Sequence, residues 1–152
     1  MQPFQSHRRS SSVYASKQMI VMRRDLKMRK GKIAAQAGHA CVDAVLRALA
    51  REGRLGQVRA GETGAFLEPG DMPATPLSEW FAKGEAKICV YVDSEEELLA
   101  LHRRAQEAGV LSSLICDAGM TEFHGEATYT CLALEPLPRD RADELTGNLP
   151  LY

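Results

Sequence analysis

Several features that mark common classes of protein are missing from this 152-residue chain. No apolar run approaches the roughly 18 residues needed to cross a bilayer, so no membrane span is expected. The four histidines are scattered and show no metal-ligand spacing. No two of the four cysteines form a Cys-x-x-Cys pair, and their apolar contexts are typical of buried, reduced thiols. The sequence therefore indicates neither a metal site nor a disulfide framework.

The chain also has almost no net charge, because its 19 basic and 20 acidic residues give a formal charge of −1. The basic residues are nevertheless concentrated: seven Lys or Arg and one acid lie between Lys17 and Lys32. Acidic residues gather instead at 95–97 and 140–144. A local basic surface on a neutral chain is typical of a protein that faces nucleic acid with one side only.

The length fits one domain with a single core, and 45% hydrophobic and 26% charged residues are ordinary for a globular protein. We expect residues 17–152 to form this domain, with an insertion or long surface loop at about 53–76, where Gly and Pro accumulate without periodicity. Residues 1–16 are polar and Ser-rich, and we interpret them as a disordered or accessory arm. An organellar transit peptide and an expression remnant are the alternatives.

Hydrophobic periodicity predicts four strands and four helices. The strands are expected at 17–22, 86–92, 110–116 and 128–134, and the helices at 30–52, 77–83, 94–108 and 139–145. Because the first three strands alternate with helices, they should form a parallel core, and the fourth should run antiparallel. The predicted fold is an α/β protein with a small mixed four-stranded sheet and helices on both faces.

A strand, a basic loop and a helix follow one another between residues 17 and 52. A helix N-terminus has unpaired N–H groups and a positive dipole end, both of which attract anions. The cations around this helix start are Arg24, Lys27, Arg29, Lys30 and Lys32. This arrangement predicts a partner that carries phosphate groups.

One stripe of the first helix is polar and, by its spacing, opposite the Ala-rich face. Its members are Lys32, Gln36, His39 and Asp43. A solvated helix face is the ordinary explanation of such a stripe. The alternative is the wall of a site, and the position beside the basic cluster favours it.

A second polar segment, residues 117–121, follows the third predicted strand, where open α/β sheets place ligands. Asp117 can accept a proton or orient a water molecule, and Thr121 and Thr130 supply hydroxyl groups. An Asp-Ala-Gly segment is also an ordinary turn. Because the first strand ends at the same edge of the sheet, the two polar segments should meet in space.

Together these segments resemble the type II peptidyl-tRNA hydrolases, the form typical of archaea and eukaryotes. Residues 25–40 match the family signature Asp-(Leu/Ile)-Lys-Met-Gly-Lys-Gly-Lys-(Ile/Val)-Ala-Ala-Gln-x-x-His-Ala, with Arg29 in place of the first Gly. A second signature, Asp-Ala-Gly-Arg-Thr-Gln, corresponds to residues 117–122, and a closing segment like Thr-Gly-His-Leu-Lys-Leu to residues 146–152. The resemblance extends from about Lys17 to Tyr152, interrupted at 53–76.

The resemblance implies hydrolysis of the ester bond that joins a peptide or N-blocked amino acid to the terminal ribose of tRNA. It implies no metal and a fold that is often a homodimer. We also expect no other cofactor and no membrane partner, and the reduced thiols favour a cytoplasmic location. Catalytic positions of the family correspond to Lys32, His39, Asp117, Thr121 and Thr130. The expected tRNA contacts are Arg24, Lys27, Arg29, Lys30 and Gln36.

The residues themselves suit this chemistry. Water attack on an ester builds an oxyanion, which Lys32 near a helix N-terminus can stabilise while Asp117 orients or deprotonates the water. No Ser-His-Asp or Cys-His nucleophile arrangement is evident in the sequence, which favours direct attack by water.

Three further residues depart from the family pattern: Met120 replaces Arg, Glu122 replaces Gln and Glu135 replaces Gly. Each change makes the charge of the second signature segment, which begins at Asp117, more negative, so weaker tRNA binding is expected. These departures keep open a second hypothesis, a non-catalytic or altered-substrate RNA-binding relative that kept the scaffold.

Overall fold

The computed structural model describes residues 15–119 and 123–152. The strands are β1 (Ser16–Arg23), β2 (Val58–Ala60), β3 (Ala65–Leu67), β4 (Lys87–Val92), β5 (Ser112–Asp117), β6 (Thr128–Leu134) and β7 (Leu137–Pro138). The α-helices are α1 (Lys30–Arg51), α2 (Pro76–Ala82), α3 (Glu95–Glu107) and α4 (Arg139–Thr146). Each predicted strand and helix is present with small shifts at its ends, whereas the short strands β2, β3 and β7 were not predicted.

The main sheet has the strand order β4-β1-β6-β5, with β7 paired to β1. Pairing is parallel between β1 and β4 and antiparallel where β6 meets β1 and β5. The mixed α/β fold is therefore confirmed, but the predicted strand count and parallel core are wrong. Because no helix separates β5 from β6, β6 folds back beside β5 and lies between it and β1. A single parallel pair, β1 with β4, remains in the described sheet.

Helices cover both faces of the sheet, as predicted. Side chains of β1 alternate between the faces: Met19 and Val21 pack with α3 and α4, and Ile20 and Met22 pack with α1. Ser94 caps α3 by accepting a hydrogen bond from the Glu97 N–H at 3.1 Å. β1, β4 and β5 all end at the same end of the sheet, and α1 begins there because only a short loop separates it from β1.

The segment 53–76, expected as a loop or insertion, contains a 3-10 turn and the β2–β3 hairpin before α2 begins. The buried Arg54 guanidinium organises it, donating hydrogen bonds to Glu52, to Gln57 and to the carbonyl oxygen of Pro73 at 2.6 Å. The division of the chain into an arm, a domain and an insertion stays a prediction. Residues 1–14 lie outside the described part of the chain.

All four cysteines are free thiols. Cys41 and Cys131 are buried and Cys89 is half-buried, but Cys116 is exposed. The prediction that all four are buried is therefore wrong for Cys116, which lies one residue before the end of the edge strand β5. In the described ranges, no helix is both long and apolar enough to cross a membrane.

Candidate active site

The loop between β1 and α1 separates its apolar side chains from its charged ones. Leu26 and Met28 pack into the core beneath α1, whereas Lys27, Arg29 and Lys30 are exposed. Lys27 has a left-handed backbone with φ of 50°, and its N–H closes the turn on the carbonyl oxygen of Arg24 at 3.1 Å. The loop thus directs these cations outward around the start of α1.

Lys32, in the first turn of α1, forms an ion pair with Asp117, the last residue of β5. Its Nζ lies 2.8 Å from Asp117 Oδ1, and the two side chains are only 12% and 14% exposed. The two polar segments that the sequence placed at one edge of the sheet therefore meet in space. An ammonium and a carboxylate so poorly solvated interact more strongly than a surface pair does.

The Asp117 carboxylate accepts further hydrogen bonds. Gln36 Nε2 donates to Oδ1 at 3.5 Å, and the Gly119 N–H donates to Oδ2 at 2.9 Å. The hydrogen bond from Lys32, aided by that from Gly119, lowers the pKa of Asp117 below its ordinary value, although desolvation opposes the shift. The carboxylate is thus ionised at neutral pH and is a weak base.

Gln36 connects this pair to the core. Its Oε1 accepts a hydrogen bond from Thr130 Oγ1 at 2.5 Å, so its Nε2 points at Asp117. Thr130 is fully buried and Gln36 nearly so. The result is a continuous chain of hydrogen bonds from Thr130 through Gln36 to Asp117 and Lys32.

A β-bulge explains how Thr130 reaches Gln36. Ile115 pairs with Cys131 and Cys116 pairs with Tyr129, so Thr130 is an extra residue on β6 with no partner on β5. Bulges bend a strand and redirect the side chain at the bulge, and they are frequent beside active sites. Here the bulge places the Thr130 hydroxyl next to α1.

Gly119 is required by the turn that follows β5. Its φ is +80°, and a Cβ at this position would lie 2.3 Å from the carbonyl oxygen of Glu126. Only glycine fits such a backbone approach. The Asp-Ala-Gly segment is therefore both a tight turn and the source of the N–H that binds Asp117.

One neighbour of Lys32 was not predicted. The ring centroid of Phe123 lies 5.8 Å from Lys32 Nζ, at the outer limit of a cation–π contact. A lone Phe in a polar loop gives no signal in the sequence that could have identified it.

Two further catalytic residues were predicted, His39 and Thr121. His39 is exposed on α1 beyond Gln36. Because Gln36 is buried, the polar stripe runs along the edge of the packed face of α1, and its predicted position opposite that face is wrong. Thr121, together with Met120 and Glu122, lies outside the described residues.

Comparison with known proteins identifies the family. The family model described as peptidyl-tRNA hydrolase PTH2 matches residues 16–152, nearly all of the chain. The chain belongs to this family. The match covers every residue of the Lys32–Asp117–Gln36–Thr130 chain of hydrogen bonds.

Two curated relatives support this assignment, and one solved structure supports the fold. A peptidyl-tRNA hydrolase of Methanopyrus kandleri is 39% identical over 135 residues, which are 89% of this chain and 97% of that protein. A peptidyl-tRNA hydrolase of Thermococcus sibiricus is 34% identical over 139 residues, covering 91% and 99%. A structure of a protein of unknown function from Agrobacterium tumefaciens has a TM-score of 0.53 at 15% identity, covering 91% and 98%, and supports the fold alone.

The residues expected to bind the tRNA of this family occupy different environments. Lys27, Arg29 and Lys30 are exposed around the start of α1. Arg24 is also exposed, but it is paired with Asp93. Gln36 is buried within the Asp117 network, away from the exposed basic side chains.

Glu135 was expected to add negative charge to the segment around Asp117, and this prediction is wrong. Its carboxylate forms an ion pair with Arg51 and accepts the Leu111 N–H at 2.6 Å. It follows the last residue of β6, whereas Thr130 lies near the first, so the two are separated by roughly 16 Å of extended strand. This departure from the family pattern changes the far end of the sheet.

Two further observations concern the chemistry of the site. Within residues 15–119 and 123–152, no group of three or more His, Cys, Asp or Glu side chains is arranged to hold a metal ion. Burial raises the pKa of Cys131, beside Thr130, to about 12. That thiol is therefore protonated at neutral pH and is not a nucleophile.

Proposed function

We propose that this chain hydrolyses the ester bond between a peptide, or an N-blocked amino acid, and tRNA, releasing free tRNA by attack of water. The observation that carries the proposal is the Lys32–Asp117 ion pair beside the basic start of α1. Membership of the peptidyl-tRNA hydrolase family supports the same reaction.

In the proposed reaction the water oxygen bonds to the ester carbonyl carbon, and negative charge develops on the carbonyl oxygen. Lys32 stabilises this oxyanion, because its ammonium stands in the first turn of α1, where the helix dipole adds positive potential. The bond from carbon to the ribose oxygen then breaks. A proton from the water ends on the ribose hydroxyl, and the peptide leaves as a carboxylic acid.

Asp117 orients the attacking water. A carboxylate offers about four acceptor positions. Among the described residues, Lys32, Gln36 and Gly119 occupy three of them. The fourth position suits a water molecule. Since its pKa is lowered, Asp117 holds the water through a hydrogen bond more readily than it removes a proton.

Gln36 and Thr130 are proposed as positioning residues. Thr130 is fully buried and acts through Gln36, whose amide it orients toward Asp117. This assignment replaces the expected tRNA contact at Gln36 with a role inside the site. His39 and Thr121 stay predicted catalytic residues on the strength of the family resemblance alone.

The exposed cations Lys27, Arg29 and Lys30 are proposed to bind tRNA phosphates. Such contacts release counterions, so affinity should fall steeply as salt is added. An affinity for tRNA that does not change between low and physiological salt would contradict a phosphate-dominated interface.

The deciding experiment measures release of an N-acetylated amino acid from tRNA. Asp117→Asn should lower the rate about 100-fold or more, since it removes a charge next to the reacting atoms. Asp143→Asn is the matched control, because Asp143 also pairs with a lysine but lies on α4. A loss within about threefold for Asp117→Asn would reject the assignment of Asp117. Binding of tRNA without turnover by the wild-type chain would favour the RNA-binding alternative.

A homodimer is proposed as the assembly. The exposed apolar side chains Val42 and Leu46 on α1 support it, since exposed apolar patches commonly mark interfaces. Sedimentation of the wild-type chain should give the mass of two chains, and Leu46→Asp should reduce it to one. A wild-type chain that sediments as a monomer at micromolar concentration would contradict the proposal.

The cytoplasm is the proposed location, because the substrate of this family belongs to translation. Fractionation of cells that express the full chain tests it. Recovery in an organellar fraction would instead support a targeting role for residues 1–16.

A further inference from the structure

Arg24 has an environment that differs from that of the other cations near α1. Its guanidinium carbon lies 3.8 Å from the ring centroid of Tyr91, so the two groups are stacked. Asp93 binds it through two contacts, of 3.2 and 3.4 Å. Tyr152 packs edge-on against Tyr91, with ring centroids 5.8 Å apart. We call Arg24, Tyr91 and Tyr152 the stacking cluster.

The stacking cluster is held by backbone pairing. β4 lies at the edge of the main sheet, and residues 150–152 pair with that edge. The Tyr91 N–H donates to the Pro150 carbonyl oxygen and the Tyr152 N–H donates to the Cys89 carbonyl oxygen, each at 3.1 Å. Tyr152 is therefore fixed in place although 46% of it is exposed. An exposed ring held in one position loses little entropy when it binds a ligand.

The stacking cluster lies on the same face and at the same end of the sheet as Asp117. One row of paired residues crosses the sheet from Tyr91 through Met22 and Cys131 to Ile115. Three strand spacings separate Tyr91 from Ile115, about 14 Å. Asp117 lies two residues beyond Ile115 on β5, and the exposed basic loop lies between. A few nucleotides of extended RNA are long enough to span the distance between the site and the stacking cluster.

The electrostatics of Arg24 favour a flat partner over a phosphate. Asp93 offsets part of its positive charge, which weakens its attraction to anions. Tyr91 covers one side of that plane, yet the Arg24 side chain is still 51% exposed. This exposure leaves room for a second flat group against Arg24. Guanidinium planes and tyrosine rings are the surfaces on which proteins stack unpaired RNA bases.

We propose that the stacking cluster is a nucleobase subsite, which binds an unpaired base of the RNA near the ester that is hydrolysed. This inference rests on the proposed function for the identity of the RNA. It assigns Arg24 to stacking, where the sequence indicated a phosphate contact. Base–aromatic stacking is largely independent of base identity, so the subsite should accept any base.

Calorimetric binding of two trinucleotides at one salt concentration tests the proposal. One is the RNA trinucleotide CCA, and the other has the same backbone with all three bases removed. The wild-type chain should bind CCA at least fivefold more tightly. Tyr152→Ala and Arg24→Lys should weaken binding of CCA by about 5- to 100-fold and leave the abasic trinucleotide unchanged. Arg24→Lys keeps the charge and removes the plane, so it separates stacking from electrostatics.

Controls exclude a general loss of structure. Leu151→Ala alters the same segment without a ring, and Phe66→Ala removes an exposed aromatic side chain on the β2–β3 hairpin. Both should bind CCA as the wild-type chain does. Tyr152→Trp should preserve the preference for CCA. That result would show that the position requires an aromatic ring.

Two results would overturn the inference: equal wild-type affinity for the two trinucleotides, or an equal loss for both in Arg24→Lys and Tyr152→Ala. Failure of the proposed function looks different. In that case the wild-type chain releases no amino acid from N-acetylaminoacyl-tRNA but still prefers CCA. Hydrolysis without a preference for CCA would reject the subsite alone.

Discussion

Two Lys–Asp ion pairs in this molecule have nearly the same geometry but different surroundings. Lys32–Asp117 spans 2.8 Å and Lys17–Asp143 spans 2.7 Å, and the lysine side chains are 12% and 11% exposed. The carboxylates differ, because Asp117 is 14% exposed and Asp143 is 55% exposed. The lysines alone therefore do not distinguish a candidate site from a surface link between β1 and α4.

The difference lies in what else reaches the carboxylate. Asp117 also accepts hydrogen bonds from the Gln36 amide and the Gly119 N–H. Asp143 binds Lys17 through its side chain and is otherwise open to water. A solvated carboxylate is screened and free to reorient, whereas a carboxylate held by three donors is preorganised for a reacting group. The two ion pairs thus differ mainly in how firmly the aspartate carboxylate is held in place.

The largest expected effect separates the two lysines. Lys32→Met should lower the rate of ester hydrolysis about 100-fold or more, because it removes the group that stabilises the oxyanion. Lys17→Met removes a lysine of the same exposure and should leave the rate within about twofold, since it lies outside the proposed site. Single-turnover hydrolysis of N-acetylaminoacyl-tRNA measures both. An equal loss of hydrolysis rate in the two variants would contradict a special role for the Lys32–Asp117 pair.

A third charged pair, Arg51–Glu135, should affect stability and not activity. Glu135→Ala leaves the Leu111 N–H without its acceptor, which costs about 1–3 kcal/mol of unfolding free energy. The ion pair itself adds little, because Arg51 is half exposed. Urea denaturation measures the loss, and Arg51→Gln is the control that removes the ion pair but keeps the acceptor. A fall in hydrolysis rate with unchanged stability would contradict this assignment.

A smaller effect is expected at the far end of the hydrogen-bonded chain. Thr130→Val removes the donor that orients Gln36 and should lower the hydrolysis rate about 3- to 10-fold, the equivalent of one hydrogen bond. Thr130→Ser should restore the rate, since it returns the hydroxyl. Thr146→Val is the matched control, because Thr146 is a buried threonine that bonds to a carbonyl oxygen within α4. Equal rates for Thr130→Val and the wild-type chain would exclude a positioning role.

The sequence predicts the parts of the site that follow from local rules. Lys32 and Asp117 could be paired in advance because a helix start and the end of a strand are recognisable, and because α/β sheets bring such ends to one edge. The start of the helix predicted at 94–108 likewise follows from a local rule, since Ser94 and Glu97 have the spacing of an N-terminal cap.

The features of the site that could not be predicted depend on contacts between residues far apart in the sequence. Helical spacing placed Gln36 on a polar stripe, but only the rotation of α1 on the sheet puts that amide in the core. The bulge that redirects Thr130 depends on the register between β5 and β6, for which an isolated sequence contains no signal. Glu135 was misassigned for the same reason, because its partner Arg51 lies 84 positions away.

The smallest effect concerns the protonation of Asp117 itself. Its folded pKa is below the ordinary value, so the ion pair stabilises the protein above the pKa of the unfolded chain and loses that contribution as pH falls through the folded pKa. The hydrogen bond from Lys32 is the main cause, so Lys32→Met should move the Asp117 pKa upward and Lys17→Met should not. Titration of the Asp117 carboxyl carbon by NMR in the three proteins measures this. An unchanged midpoint in Lys32→Met would mean that the Gln36 amide and the Gly119 N–H hold the carboxylate ionised without the lysine. The lysine would then act on the substrate and not on the acid.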